Sequence, residues 1–315
     1  MKNILSTIIL CLTVFVAFGQ QDRQNTQFMQ YKLGYNAGYA GAKESTCITC
    51  LHRSQWLGLD GAPEFTTLSF NMPLFNQKVG IGANLERYKV GLFESYTFDA
   101  VYSYRVRLGQ GSLGMGLQGS ARSLEGNFQM ATATEDRTAD PSISLGQEDK
   151  ILANFGAGLY YSSPKFYAGI SVPRFLKNNV DFASENNVIS REVNHVYFMG
   201  GITFELGENV KIQPQTLLKY VANAPVDADV NANLIINDRY IFGVTYRLGG
   251  NKETSTGESF DILIMAQLTN NLLFGMSYDM TISDLRDYNS GSIEASLHYC
   301  FGKSEGEEYT NPRFF

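Results

Sequence analysis

The chain has 315 residues, of which 44% are hydrophobic, 13% aromatic and only 18% charged, and its formal net charge is -6. The acidic balance and the lack of a basic tract argue against nucleic acid as a partner, because phosphate binding needs a basic face. Few charges beside 30 Gly, 18 Tyr and 21 Phe argue against an ordinary soluble globule and suit a surface solvated in part by lipid.

Met1-Lys2-Asn3 leads into an apolar run from Ile4 to Phe18 that closes on Ala17-Phe18-Gly19, the pattern of a secretory signal removed before Gln20. Residues 1–19 are therefore assigned to a signal peptide, and Cys11 leaves with it. That core is too short for a comfortable helical span, and no later window holds about 18 uninterrupted apolar residues, so the mature chain is either soluble or a barrel. Residues 20–44 show no strand period. They read as a periplasmic tail, with a segment folded into the lumen as the alternative.

From residue 45 onward sheet periodicity runs nearly unbroken. Tyr96, Phe98, Ala100, Tyr102, Tyr104 and Val106 share one parity, while Thr97, Asp99, Val101, Ser103, Arg105 and Arg107 share the other. Leu272, Phe274, Met276 and Tyr278 alternate in the same way with Leu273, Gly275, Ser277 and Asp279, and Ile293 to Tyr299 with Glu294 to Cys300. Many runs reach roughly ten residues with aromatics near their ends, the length and girdle of a tilted membrane strand.

The sequence thus predicts an all-β transmembrane antiparallel barrel over residues 45–302. About fourteen strands begin near Thr46, Glu64, Lys78, Glu94, Ser112, Ile151, Lys165, Glu192, Val210, Val226, Arg239, Ser259, Leu272 and Gly291. Gly109-Gln110-Gly111 and Thr269-Asn270-Asn271 read as tight turns. Glu125 to Asp149 and Lys177 to Ser190 read as outer loops, and residues 303–315 as a periplasmic tail.

Chemistry-bearing residues are sparse. Cys47 and Cys50 form a C-x-x-C with His52 two residues on, but strand positions 47 and 50 point to opposite faces and do not chelate together. Closure of a barrel sets the first strand beside the last, with Cys47 and Cys300 both on the lumen parity. That makes them a candidate cross-strand disulfide, with free thiols as the alternative. His195 and His298 have no Ser and orienting carboxylate beside them, so no catalytic residue, metal site or cofactor is assigned and no enzymatic activity is expected.

Arg53, Gln55, Asp99, Arg105, Arg107, Glu192 and Glu205 read as charged or amide fillers of the lumen, with a solute-selectivity ring as the alternative. Trp56 reads as an interface anchor. Gly80-Ile81-Gly82 and Gly114-Met115-Gly116 lie inside alternating strands, where glycine permits bending and close packing rather than phosphate binding.

Several strings carry a family resemblance. Gln27-Phe28-Met29-Gln30-Tyr31, Asn36 to Gly41 and above all Arg53-Ser54-Gln55-Trp56-Leu57-Gly58-Leu59-Asp60-Gly61-Ala62-Pro63 resemble the start of the PorP/SprF family of Bacteroidetes outer-membrane proteins. Asn76 to Gly91, Asn154 to Phe175 and the ending Asn311-Pro312-Arg313-Phe314-Phe315 are similar to later landmarks of that family, so the resemblance spans essentially the mature chain. The family's usual proline is missing from Asn36-Ala37-Gly38-Tyr39-Ala40-Gly41, which implies a less rigid entry. The C-x-x-C is not associated with the family either.

The resemblance implies an outer-membrane barrel of the type IX secretion system. Such a barrel would receive, help secrete or anchor a cell-surface adhesin or other substrate through that substrate's C-terminal domain, in some members for gliding motility. Its expected partners are that substrate, components of the secretion machinery and outer-membrane lipid. Arg53, Gln55, Trp56, Gly58, Asp60, Gly61 and Pro63 are the family-motif or partner-contact residues it points to. An outer-membrane solute or fatty-acid-type channel is the alternative that barrel geometry permits.

Overall fold

Strands that alternate strictly between apolar and polar residues give a sheet with one oily and one wet face, and closing that sheet on itself removes its edges. The computed structural model describes residues 23–128, 146–182, 190–222, 224–249 and 257–301. The signal peptide and the C-terminal tail expected at 303–315 lie outside the described residues.

The strands are β1 (Cys47–Ser54), β2 (Glu64–Leu74), β3 (Val79–Val90), β4 (Phe93–Leu108), β5 (Gly111–Asn127), β6 (Gln147–Ser162), β7 (Phe166–Val172) and β8 (His195–Ile202). They continue as β9 (Phe204–Glu205), β10 (Val210–Val221), β11 (Asp227–Ile236), β12 (Tyr240–Leu248), β13 (Ser259–Gln267), β14 (Leu272–Thr281) and β15 (Ser292–Cys300). β8 and β9 both pair with β10 and are two pieces of one strand, so fourteen strands go round. Each strand pairs antiparallel with its sequence neighbour. The ring closes where β1 meets β15, in a register that sets Cys47 opposite Cys300 and Arg53 opposite Glu294.

Burial is inverted relative to a soluble protein. On β4, Tyr96, Phe98, Tyr102 and Tyr104 are each 46–49% exposed, whereas Thr97, Asp99, Ser103 and Arg105 are at most 5% exposed. An apolar outside around a polar inside is the arrangement of a membrane-embedded barrel. No described helix is long and apolar enough to cross a membrane.

The two ends differ. At one end, turns after β2, β4, β6, β9, β11 and β13 take two to four residues, and both the start of β1 and the end of β15 lie there. Longer connections after β1, β5, β7, β12 and β14 gather at the other end. Short turns mark the periplasmic side of such barrels, so the second end is the outer one.

One expected outer loop is shorter than the sequence suggests. Glu125 and Asp149, taken as its limits, are paired with each other in the β5–β6 ladder, which continues to Asn127 and Gln147. Polar residues there extend a strand pair beyond the apolar belt, where backbone pairing persists without an oily face.

Candidate functional site

The lumen is filled by the chain's own N-terminal segment. Residues 23–46 enter at the outer end, descend inside the barrel and leave at the periplasmic end into β1. Of the two placements the sequence left open for residues 20–44, the described part takes the lumen and not the periplasm. Short helical turns at Phe28–Gln30, Lys32–Tyr35 and Ala37–Tyr39 satisfy much of its backbone internally.

The segment has two chemically distinct parts. Gln24, Asn25, Thr26 and Gln27 face the charged wall built by β1 and β10–β15. The Thr26 and Gln27 amides donate to Glu294 at 3.0 and 2.7 Å, the Thr26 hydroxyl donates to Asp279 at 2.7 Å, and Gln24 Nε2 donates to Asp227 at 2.7 Å. Three basic side chains hold this wall together. Arg53 pairs with Asp279 at 2.5 Å and Glu294 at 3.3 Å. Arg247 pairs with Asp229, Asp261 and Asp279 at 2.8–3.5 Å, and Lys219 pairs with Asp227 and Asp229.

The second part is aromatic. Phe28, Tyr31, Leu33, Tyr35, Ala37, Tyr39 and Ala40 pack with Phe65, Tyr160, Tyr167 and Tyr197 of the opposite wall in one buried cluster. Tyr39 meets Tyr160 edge-on at 5.2 Å, Tyr35 meets Tyr197 at 5.3 Å, and the Lys32 ammonium lies 3.6 Å over the Tyr167 ring. Each large side chain so buried stabilises the docked segment by about 1.5–3 kcal/mol. Polar contacts fix its height: Asn36 Nδ2 donates to the Leu159 and Ile170 carbonyls, and Ser103 Oγ donates to the Ala40 carbonyl at 2.6 Å.

Glycines on the wet parity make room for this second layer. A Cβ on Gly80 would stand 2.1 Å from the Ala40 oxygen, and one on Gly116 2.1 Å from the Ala37 carbonyl carbon. Their close-packing role was legible in the sequence, but what they pack against was not.

At the outer mouth, two adjoining cavities of about 350 and 420 Å³ share Tyr88, Arg122 and Glu192. Arg122 pairs with Glu192 at 2.9 Å, and Asn154 and Asn178 also donate to Glu192. Arg23, the outermost described plug residue, lines one cavity with its guanidinium 5.3 Å over the Phe65 ring. Phe93, Phe128 and Phe182 interlock at 5.7–6.2 Å on the wall of the other.

Arg53-to-Pro63 runs from the lumen to this outer rim. Arg53 is in the ion-pair wall, while Gln55, Trp56, Gly58, Asp60, Gly61 and Pro63 form the β1–β2 connection. The Trp56 amide donates to Ser292 Oγ at 3.1 Å, Gln55 N to the Pro63 carbonyl at 2.9 Å, and Gly91 N to the Gly61 carbonyl at 2.8 Å. Trp56, Gly58 and Gly61 all have positive φ, so the loop's shape depends on the two glycines. Asp60 is exposed at its tip.

The expected lumen fillers separate. Arg53, Asp99 and Arg105 point inward and are buried. Glu192 precedes β8 at the mouth, and Gln55 lies in the rim loop. Arg107 and Glu205 are exposed near the periplasmic end, where the wet parity has run past the lumen into water. Arg247, Asp229, Asp261 and Asp279 are further buried lumen charges, and their inward parity is the only signal of them in the sequence.

At the barrel seam Cys47 and Cys300 are joined by a disulfide, with Sγ atoms 2.09 Å apart, and Cys50 is a free, exposed cysteine on the outer face. His298 sits beside the bond, with Nε2 3.1 Å from Cys300 Sγ and 2.7 Å from Lys43 Nζ, and Nδ1 2.7 Å from Thr49 Oγ1. Cys47, His298 and Cys300 are close enough to share a metal ion, but sulfurs bonded to each other supply no thiolate. His52 faces outward against Thr66 and Ser54, and His195 lies at the outer mouth stacked on Tyr197. The three histidines do not converge.

Solved structures similar to the chain are outer-membrane barrels and channels. A monoaromatic hydrocarbon channel, CymD, matches at a TM-score of 0.51 and 12% identity over 91% of this chain and 95% of that one. Acinetobacter baumannii Omp33 matches at 0.47 and 9% identity over 83% and 100%. The Ralstonia pickettii toluene transporter TbuX matches at 0.48 and 10% identity over 86% and 93%. No curated protein sequence matches the chain. The family model for the type IX secretion system membrane protein PorP/SprF matches residues 17–299, so this outer-membrane β-barrel belongs to the PorP/SprF family of type IX secretion system membrane proteins.

Proposed function

We propose that this barrel is a non-catalytic docking station, on which the C-terminal domain of a type IX substrate, such as a large cell-surface adhesin, is received and held at the outer mouth. The observation that carries the reading is the occupied lumen. A barrel whose interior is taken by its own N-terminal segment through buried aromatic and ionic contacts is built to present a surface. The mouth supplies that surface, because cavities lined by stacked phenylalanines, paired arginine and tyrosine offer the apolar anchors and polar rim that protein partners use. Family membership supports a link to the secretion machinery, reached from the periplasmic side.

Affinity purification of the tagged barrel from native outer membranes, followed by mass spectrometry, tests this. Recovery of a large surface protein through its C-terminal domain, lost on replacing Phe93 and Phe182 with Ser, supports docking. A barrel that comes out alone and conducts ions in a planar bilayer refutes it in favour of a solute channel.

A further inference from the structure

The geometry points to a divalent-cation site of calcium size at the outer rim of β11–β13, built by Asp227 and Glu258 with the plug residue Gln24 and with Ser283. Four buried oxygens on these side chains, Gln24 Oε1, Asp227 Oδ1, Glu258 Oε2 and Ser283 Oγ, have no hydrogen-bond partner. None of the four residues is more than 9% exposed. Bare oxygens in such positions are costly unless something positive stands among them.

They belong to one neighbourhood. Asp227 begins β11 opposite Gly249, at the end of β12, and Glu258 precedes β13. The point where a Cβ on Gly249 would stand is 2.9 Å from Asp227 Oδ1 and 3.5 Å from Glu258 Oε2, so the space in front of that glycine is framed by carboxylate oxygens. Gln24 Nε2 donates to the other Asp227 oxygen at 2.7 Å, which sets the Gln24 side-chain amide beside this carboxylate. Ser283 is attached through its backbone, since its amide donates to the Glu258 carbonyl at 3.4 Å.

Charge counting points the same way. Asp227, Asp229, Asp261, Asp279, Glu294 and Glu258 are buried along this wall, and the basic groups paired with them are Arg53, Arg247 and Lys219. Five of these six carboxylates share three cations, and among the described residues Glu258 is in no ion pair. All four unpartnered atoms are hard oxygen donors, with no nitrogen or sulfur among them, and waters can complete the six to eight ligands that Ca²⁺ accepts. One ligand comes from the plug, so the bound ion fastens the outer end of the plug to the wall.

The test uses the full-length mature barrel purified in detergent, with CaCl2 as the probe. In wild type, Ca²⁺ added after EGTA treatment should bind with a Kd in the range of about 0.1–1 mM and raise the thermal unfolding midpoint. Glu258→Gln, and Asp227→Asn combined with it, should abolish the rise. Glu258→Gln alone should be at least as stable as wild type in EGTA, because Glu258 is in no ion pair among the described residues and neutralising it relieves the charge excess. A wild type that shows no Ca²⁺ response overturns the site. So does a response equal in wild type and variants, which marks an ion held by co-purified lipopolysaccharide. A Glu258→Gln variant destabilised in EGTA overturns it too, because it marks a carboxylate satisfied without a cation.

Discussion

Displacing the plug tests whether the lumen is closed by residues 23–46. Gly80 on β3 and Gly116 on β5 have ordinary strand backbones, and a β-branched residue suits a strand. The three atoms nearest a Cβ at either position all belong to the plug, whose backbone stands 2.1 Å from each new Cβ, so isoleucine there drives into the plug. Lifting the plug between Ala37 and Gly41 breaks three hydrogen bonds, from Gly41 N to Asn71, Ser103 to Ala40 and Arg105 to Gly38. At about 1 kcal/mol each, with about 1.5–3 kcal/mol for exposing Tyr39, lifting costs roughly 4–6 kcal/mol. Overpacking one site costs about 1–3 kcal/mol.

Either single variant should therefore keep its plug under strain, while Gly80→Ile/Gly116→Ile should tip toward displacement. The readouts are planar-bilayer conductance and acylation of Lys32 and Lys43, which are 3% and 6% exposed in the docked state. Heat-modifiable gel migration reports that the barrel is intact. The double variant should conduct in steps and acylate at Lys32, where wild type does neither. An intact double variant that stays silent and protected at Lys32 refutes the plug's role as the closure.

Replacing Arg247 with Met should destabilise the barrel by about 3–5 kcal/mol, because Asp229, Asp261 and Asp279 lose their shared guanidinium; a lower heat-modifiability midpoint checks this. Peptide mapping without reduction should recover Cys47 linked to Cys300 with Cys50 alkylated, and Cys300→Ser should cost about 2–4 kcal/mol in a denaturant titration. Alkylation of all three cysteines would show the bond is absent. Gly61→Val forces a β-branched residue into φ 72° with its Cβ 3.2 Å from Gly91 Cα. It should reduce substrate recovery in the affinity assay while the barrel still folds, and unchanged recovery would remove the rim loop from the docking surface.

The barrel was legible because its physics is periodic. Glu64, Val210, Ser259 and Leu272 open strands where alternation begins, and the inverted burial of Tyr96 and Thr97 follows from the same period. Cys47 opposite Cys300 was legible for a topological reason: a closed antiparallel ring must join its ends, and parity then selects the facing residues. The plug's path has no such regularity. Tyr31, Asn36 and Tyr39 hold their places through partners 55 to 134 positions away, and local sequence carries no trace of such pairings. The trace lies instead in the wall, where Gly80, Gly82, Gly114, Gly116 and Gly158 put small residues on the wet parity of β3, β5 and β6. Glu125 and Asp149 misled in the opposite way, because a strand beyond the apolar belt looks like loop.

Once the wall is known, the plug sequence becomes readable. Gln24-Asn25-Thr26-Gln27 is polar and lies against the ionic wall, and the stretch from Phe28 to Tyr39 is aromatic and lies against the aromatic wall; exchanging the two blocks would leave Glu294 and Asp279 facing rings. Segment and barrel are therefore matched in order as well as composition, and the order sets the direction. With the aromatic block anchored at the periplasmic end by Gly80, Gly116 and Asn36, the start of the described chain can only point outward. Arg23 then lies beside the mouth cavities, in contact with Glu86, Phe65 and Tyr88. A partner docking at the mouth meets the plug's outer end as well as the loops, so pulling on that end and binding at the rim act on the same residues.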